Sequence, residues 1–364
     1  MNKAVPGCLI IVPSLTPNGP IKGAIALANG LSELGVRVSF VALKTGPGAN
    51  SLLLPDVVLH ELNYSSLFSL FQMRANIMKI LFQRRSVSSG AVVVISMCFS
   101  ADLINVLLPR STKKIVSVRS DLKDNYTMEY GPMGQILASI HHWMFRFIDV
   151  VVSMNSEMER VLSNYKCRQI ITIPNFINEV DFKTLGTPVV EYSGQTIIFV
   201  GSLTNRKKPL LLLETVISLN EQGSDLTLLF VGDGPLKDQM IRRVSESGSN
   251  RIHIMGFKES PSKLVRNCDI MVLPSLSEGT PRAVMEALYL GTPCVMRSLV
   301  TNDNLVVDGV NGYLFDNDED LEAVIVKALS LARRSLSTHC LLDESFSQNT
   351  CSKSYLNVIE RLLE

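Results

Sequence analysis

At 364 residues, 46% of them hydrophobic and with a mean hydropathy of +0.22, the chain is too long for one ordinary core and apolar enough to fill two, which excludes a disordered protein. Its 35 Lys and Arg against 34 Asp and Glu leave a net charge of +1, so no overall field draws it to nucleic acid, and attraction to anionic lipid must come from a local patch. Seven cysteines with no CxxC or metal-finger spacing, sitting in or beside apolar strands as Cys98, Cys268 and Cys294 do, point to a reducing compartment.

In chain order, short apolar runs alternate with amphipathic helical stretches, the pattern of parallel sheets covered by helices. Strands are predicted at Cys8–Pro13, Val36–Leu43, Val57–Leu62, Ala91–Ser96, Lys114–Val118, Val150–Met154 and Ile170–Pro174. Gly, Pro, Ser and Tyr then replace the periodic pattern, and residues 184–195 read as a linker between domains spanning 1–183 and 196–344. The second half restarts with strands at Thr196–Gly201, Leu226–Gly232, Arg251–Gly256, Asp269–Pro274, Pro293–Arg297 and Tyr313–Phe315. The last residues, 345–364, are expected to form a helix that packs back on the N-terminal domain. The fold class is therefore α/β, two doubly wound Rossmann-like domains facing across a cleft, with ligands at the carboxyl ends of the strands. The run Cys8–Val12 is too short for a signal segment and no window holds eighteen uncharged apolar residues, so a cytoplasmic location is expected.

The most informative segment is LPSLSEGTPRAVMEALYL, Leu273–Leu290. It reads as a strand end, a polar turn and a helix start. Thr280 is the expected N-cap, Pro281 the first helical residue, and Gly279 permits close backbone approach, so free N–H groups face an anion. Glu278 precedes the helix and Glu286 lies roughly 8 Å along it, flanking that anion site. Each can accept hydrogen bonds from sugar hydroxyls beside a diphosphate. Arg206, Lys207 and Lys208 form a second constellation, in the turn after a strand: either they neutralise a leaving diphosphate or they are a solvated basic turn.

Other residues carry weaker signals. Gly232, Asp233 and Gly234 begin a dinucleotide fingerprint, but Lys237 stands where its third glycine belongs, which argues against NAD. Asp316, Asp318 and Asp320 make a D-x-D-x-D run, read as caps of the following helix, Leu321–Leu331, rather than metal ligands. The five histidines make no ligand spacing. Arg119 and Asp121 follow a strand of the N-terminal domain, where they either orient an acceptor hydroxyl, contact the donor sugar, or form a structural ion pair. Leu67–Arg85 and Met133–Phe147 are apolar stretches with scattered cations. Each is either a helix packed on its own sheet or one that touches the inner leaflet.

SEGTPRAVME resembles the E-x7-E signature of retaining glycosyltransferases of family 4, a group that includes bacterial polysaccharide and lipopolysaccharide sugar transferases. LTPNGPIKGAIALANGLSELGVRVSFV, IPNFIN (Ile173–Asn178), VGSLTNRKKP, VGDGP and IMGF are similar to further segments of that family and stand in its order. The resemblance implies a two-Rossmann GT-B fold. It also implies metal-independent transfer, with no cofactor beyond a nucleotide-sugar co-substrate, here expected to be a UDP-sugar. By the same resemblance Lys208, with Arg206 replacing an arginine absent at Ser202, stabilises the diphosphate. Glu278 binds the donor sugar and Glu286 the ribose. Gly201 and Lys207 lie in the same turn. The turn at Gly232 shapes the nucleotide pocket, backbone around Gly256, Phe257 and Lys258 approaches the base, and Gly19 completes the phosphate side or is a plain turn glycine.

The function expected is retaining transfer of a hexose or N-acetylhexosamine from a nucleotide diphosphate sugar to a glycan or lipid-linked glycan of a surface polysaccharide. Peripheral inner-membrane contact and no nucleic-acid partner are expected with it. The alternatives are a non-catalytic sugar-nucleotide-binding subunit of a synthase complex and a nucleotide-sugar epimerase.

Overall fold

A computed structural model of the chain describes residues 6–16, 19–46, 52–63, 69–87, 92–182, 192, 194–299, 304–334 and 340–364. They divide into two compact units, Met1–Asn178 with Glu344–Glu364, and Glu179–Asp343. The linker expected at 184–195 falls mostly outside the described residues.

The first unit runs β1 (Gly7–Ser14), α1 (Gly19–Glu33), β2 (Arg37–Lys44), β3 (Val58–Glu61), α2 (Leu70–Val87), β4 (Val92–Ser96), α3 (Phe99–Leu107) and β5 (Lys113–Ser117). It continues with α4 (Leu122–Tyr130), α5 (Pro132–Met144), β6 (Val150–Ser153), α6 (Ser156–Ser163) and β7 (Ile170–Thr172). All seven strands are parallel, in the order β3-β2-β1-β4-β5-β6-β7. Parallel sheets are covered on both faces, and the central strands are accordingly rich in Val, Ile and Leu, with β4 buried throughout. One layer of the core packs Leu9, Ile11, Val41, Leu43, Val92 and Val94 against Ile77 and Leu81 of α2 and Ile104 of α3. Burying each such side chain contributes about 1.5–3 kcal/mol. Met73, Ile77, Ile80 and Leu81 of α2 are buried, so this helix packs on its own sheet, with Phe71 and Phe82 exposed. Leu67 and Phe68 of the stretch lie outside the described residues.

The second unit runs β8 (Gln195–Val200), α7 (Pro209–Glu221), β9 (Leu226–Val231), α8 (Lys237–Ser247), β10 (Ile252–Ile254), α9 (Ser262–Arg266) and β11 (Ile270–Leu273). Then follow α10 (Arg282–Tyr289), β12 (Cys294–Arg297), β13 (Gly312–Phe315) and α11 (Leu321–Arg334). Its six parallel strands are ordered β10-β9-β8-β11-β12-β13. The strand order reverses between β8 and β11, a topological switch point of the kind at which doubly wound sheets bind ligands.

A final helix, α12 (Gln348–Leu363), returns to the first unit. Ser347 caps it by accepting from the Thr350 N–H. Gln348 Nε2 donates to the Ala26 carbonyl at 3.2 Å, and buried Tyr355 meets Ser117 Oγ at 2.7 Å. Gly30 makes the α1–α12 approach possible, because a Cβ there would lie 2.1 Å from Ser352 Oγ. Every predicted strand is present with ends shifted by one or two residues, since the runs are too apolar for any other environment.

Candidate active site

At the switch between β8 and β11 stand two loops that the sequence singles out separately. After β8 the chain makes a 3-10 turn, Asn205–Lys207, and Lys208 then adopts the left-handed conformation, φ 47° and ψ 46°. Pro209 follows as the first residue of α7 and bars Lys208 from the ordinary helical region. Glycines let the neighbouring turns close up. Gly201 N–H donates to Val231 O at 3.0 Å and Gly232 N–H to Gly256 O at 2.9 Å. A Cβ on Gly232 would sit 1.8 Å from Gly201 O, and one on Gly201 would press on the Lys207 stem at 3.0 Å. Gly256 has φ +67°, a conformation glycine adopts freely.

The loop after β11 is stitched to that basic turn. Leu276 N–H donates to the Arg206 carbonyl at 2.8 Å, and the Arg206 guanidinium donates to the Ser277 carbonyl. Lys207 Nζ donates to Glu278 Oε1 at 2.8 Å, with Arg206 Nη1 3.3 Å from the same oxygen. The Glu278 side chain is only 10% exposed. Burial pushes its carboxyl toward protonation, yet the two cations and the Lys207 hydrogen bond outweigh that and hold it below the usual carboxylate range.

The loop enters its helix one residue later than the sequence leads one to expect. Helix α10 begins at Arg282 with Pro281, not Thr280, at the N-cap and without a side-chain capping bond. The physical reason is that Pro281 has an extended ψ of 107°, and its carbonyl accepts from the Val284 and Met285 N–H groups at 3.1 Å each. Gly279 and Thr280 lead into it half-buried, and the helix still begins at the switch point with its first N–H groups. Glu286, one turn in, lies 3.7 Å from Arg282.

Lys208 takes a different partner from its neighbours. Its ammonium pairs with Asp318, and Arg297 at the end of β12 pairs with the other oxygen of the same carboxylate. Arg297 also donates to the Asp316 carbonyl at 2.8 Å and lies 4.8 Å over the Phe315 ring. Of the three aspartates read as caps, Asp320 closes a capping box with Asn317, whereas Asp318 serves as a cation holder. The hydrogen bond from Lys208 holds the Asp318 carboxyl below its ordinary range. Asp318 and Arg297 escape the sequence reading because their partners lie far away along the chain. The one available signal is an acid inside a capping motif that needs only its third residue.

Two carboxylates here hold four cations: Glu278 pairs with Arg206 and Lys207, and Asp318 with Lys208 and Arg297. Phe257 stands 74% exposed just past Gly256, and Lys237 pairs with Asp233 at 2.7 Å. The remaining site candidates belong to the first unit. Gly19 is the first residue of α1. Asp121 is the N-cap of α4, accepting from the Asp124 N–H at 2.9 Å. Arg119 Nη1 donates to Asn175 Oδ1 at 3.1 Å, and its guanidinium lies 5.6 Å from the Phe176 ring centre. The structural ion pair between Arg119 and Asp121 is therefore not made, because Asp121 is turned toward its helix. Among the described residues no group of His, Cys, Asp and Glu is placed to hold a metal ion.

A doubly wound parallel unit with cations and a helix start gathered at its switch point defines a Rossmann-like class of protein. Residues 194–333, which hold the whole cluster, match the family model for glycosyl transferases group 1. Across both units the fold is that of HepE from Anabaena, solved in complex with UDP and glucose, with 17% identity, a TM-score of 0.74 and 97% and 99% of the two chains covered. Residues 194–333 thus resemble the group 1 glycosyl transferases, and the fold is that of GT-B glycosyltransferases. An uncharacterized glycosyltransferase of Methanocaldococcus jannaschii is 24% identical over 200 residues, 52% of this chain and 48% of that one. The UDP-Gal:alpha-D-GlcNAc-diphosphoundecaprenol alpha-1,3-galactosyltransferase of Escherichia coli is 31% identical over 126 residues, 33% of each chain. The chain thus spans about half or less of the length of these curated relatives.

Proposed function

We propose that the protein transfers a hexose or N-acetylhexosamine from a UDP-sugar to a glycan or lipid-linked glycan, with retention at the anomeric carbon and without a metal ion. The observation that carries this reading is the gathering of four cations, Arg206, Lys207, Lys208 and Arg297, around Glu278 and Asp318 at the β8–β11 switch, a setting suited to the negative charge of a sugar diphosphate. Held by carboxylates and carbonyls before any donor arrives, these cations need little reorganisation as charge builds on the leaving diphosphate, which is the electrostatic work a metal would otherwise do. Glu278 holds the cations in register and accepts from donor-sugar hydroxyls, while Glu286 accepts from the ribose.

Two relatives support the choice of substrates by what their names state. The E. coli protein uses UDP-Gal with a diphosphoundecaprenol-linked acceptor, and one from Erwinia amylovora serves amylovoran biosynthesis. The test is transfer from a panel of UDP-sugars to a diphospho-polyprenol-linked N-acetylhexosamine in the presence of EDTA, with the product's anomeric configuration read by proton NMR. Product of the donor's own configuration, formed equally with and without EDTA, is expected. An inverted product, or activity that EDTA abolishes, would contradict the proposal.

A further inference from the structure

Helix α5 turns an apolar stripe outward. Met133, Ile136, Ile140 and Trp143 are 68%, 63%, 48% and 53% exposed, and Phe147, just beyond its end, is 37% exposed. Intervals of three and four residues place all five on one face. The opposite face is buried through Gly134, Ala138, His141, His142 and Met144, so the helix is firmly seated and the stripe is not a packing error of the core. From Gly131 to Phe147 there is no acidic residue, and Arg146 is the one formally charged side chain. Large apolar patches of this kind mark a surface with a partner.

What the partner is follows from the foot of the stripe. Trp143, Arg146 and Lys166, with Ser139, Asn164 and Tyr165, line an open cavity of about 330 Å³. The Arg146 guanidinium lies 5.6 Å from the Trp143 ring centre and 5.8 Å from that of Phe147. Neither Arg146 nor Lys166 has a carboxylate partner among the described residues. An aromatic anchor, an apolar stripe and two unpaired cations at one end match the boundary of a bilayer, where rings sit at headgroup level and cations meet phosphate. A second copy of the chain fits poorly, because a two-fold contact would bring the same unpaired cations in from both sides.

We infer that α5 lies on the surface of an anionic phospholipid bilayer, with its stripe at the acyl boundary and a headgroup phosphate in the Trp143–Arg146–Lys166 cavity. The purpose of this contact rests on the lipid-linked acceptor proposed above, since it would hold the protein on the surface that carries such an acceptor. No helix among the described residues is long and apolar enough to cross the membrane, so the contact is one of lying on it.

Trp143 is the chain's one tryptophan, so its emission reports this face alone. With vesicles of phosphatidylcholine and phosphatidylglycerol the full-length protein should float, and its emission should shift to the blue, more at low salt than at high salt. Ile136→Ser with Ile140→Ser, both at exposed positions, should weaken partitioning by about tenfold or more. Arg146→Gln with Lys166→Gln should remove the preference over pure phosphatidylcholine, while Phe71→Ser on α2 should change nothing. Absence of both flotation and blue shift would overturn the inference, as would a concentration-dependent dimer abolished by Ile136→Ser. Equal binding to neutral vesicles, unaltered by the cation substitutions, would overturn the headgroup site. UDP-sugar binding measured on the same samples separates the two readings: donor binding without vesicles sinks this one alone, and vesicles without donor sink the transferase alone.

Discussion

Glu278 is held ionised in a largely enclosed position by Lys207 and Arg206, and the three side chains make sense only together. Glu278→Gln would leave two cations crowded without their counter-charge, and removing one member of a buried ion pair costs on the order of 3–5 kcal/mol. We expect the upper part of that range to be relieved by the exposure of Arg206, giving a loss of about 3 kcal/mol in urea unfolding of the C-terminal unit. A change under about 0.5 kcal/mol would show that the cluster is not electrostatically coupled. At this scale the sequence shows the three consecutive cations and the two glutamates, because a strand end, a polar turn and a helix start in succession are local features. It does not show that Lys207 rather than Lys208 meets Glu278, nor that Lys208 turns to Asp318, because those choices depend on side-chain direction after a left-handed residue. Pro209 is the signal that bears on it, since the residue before a proline avoids the ordinary helical region.

Among the elements, the turns after β8 and β9 are pressed together backbone to backbone, with glycine at the contact. Gly232→Ala would drive a methyl group into the Gly201 carbonyl and displace the turn that carries the cations. We expect a loss of at least about 3 kcal/mol and a matching drop in Tm, with donor affinity lost in any protein that remains folded. Gly35→Ala is the fitting comparison, since Gly35 also has a positive φ, +82°, but nothing lies within 4 Å of its would-be Cβ. It should cost only about 1 kcal/mol of backbone strain. Equal melting curves for the two variants would show that close approach is not what Gly232 provides. The strands themselves are legible from composition, as the fully buried run of β4 illustrates. The start of α10 is not, because Thr280 and Pro281 satisfy the cap preferences one residue earlier than the backbone does.

For the whole molecule, a net charge of +1 conceals local concentrations: four cations around two carboxylates at the β8–β11 switch, and Arg146 and Lys166, without a carboxylate partner among the described residues, at the foot of α5. The α/β class follows from apolar runs alternating with helices, and both sheets share the order that places a switch point beside their first strand. Which distant residues meet at that switch point is set by the topology, which is why Arg297 joins the cluster only once β12 is seen beside β11. On the proposed function, a nucleotide diphosphate sugar binds on these cations. The most direct measurement is saturation-transfer NMR with UDP-, GDP-, ADP- and dTDP-sugars on the full-length protein, repeated on Lys207→Met and Glu286→Ala. Selective binding of a UDP-sugar, weakened by salt and reduced about tenfold or more in both variants, is the predicted result. Binding of no nucleotide sugar, or binding of a UDP-sugar that neither substitution alters, would contradict it.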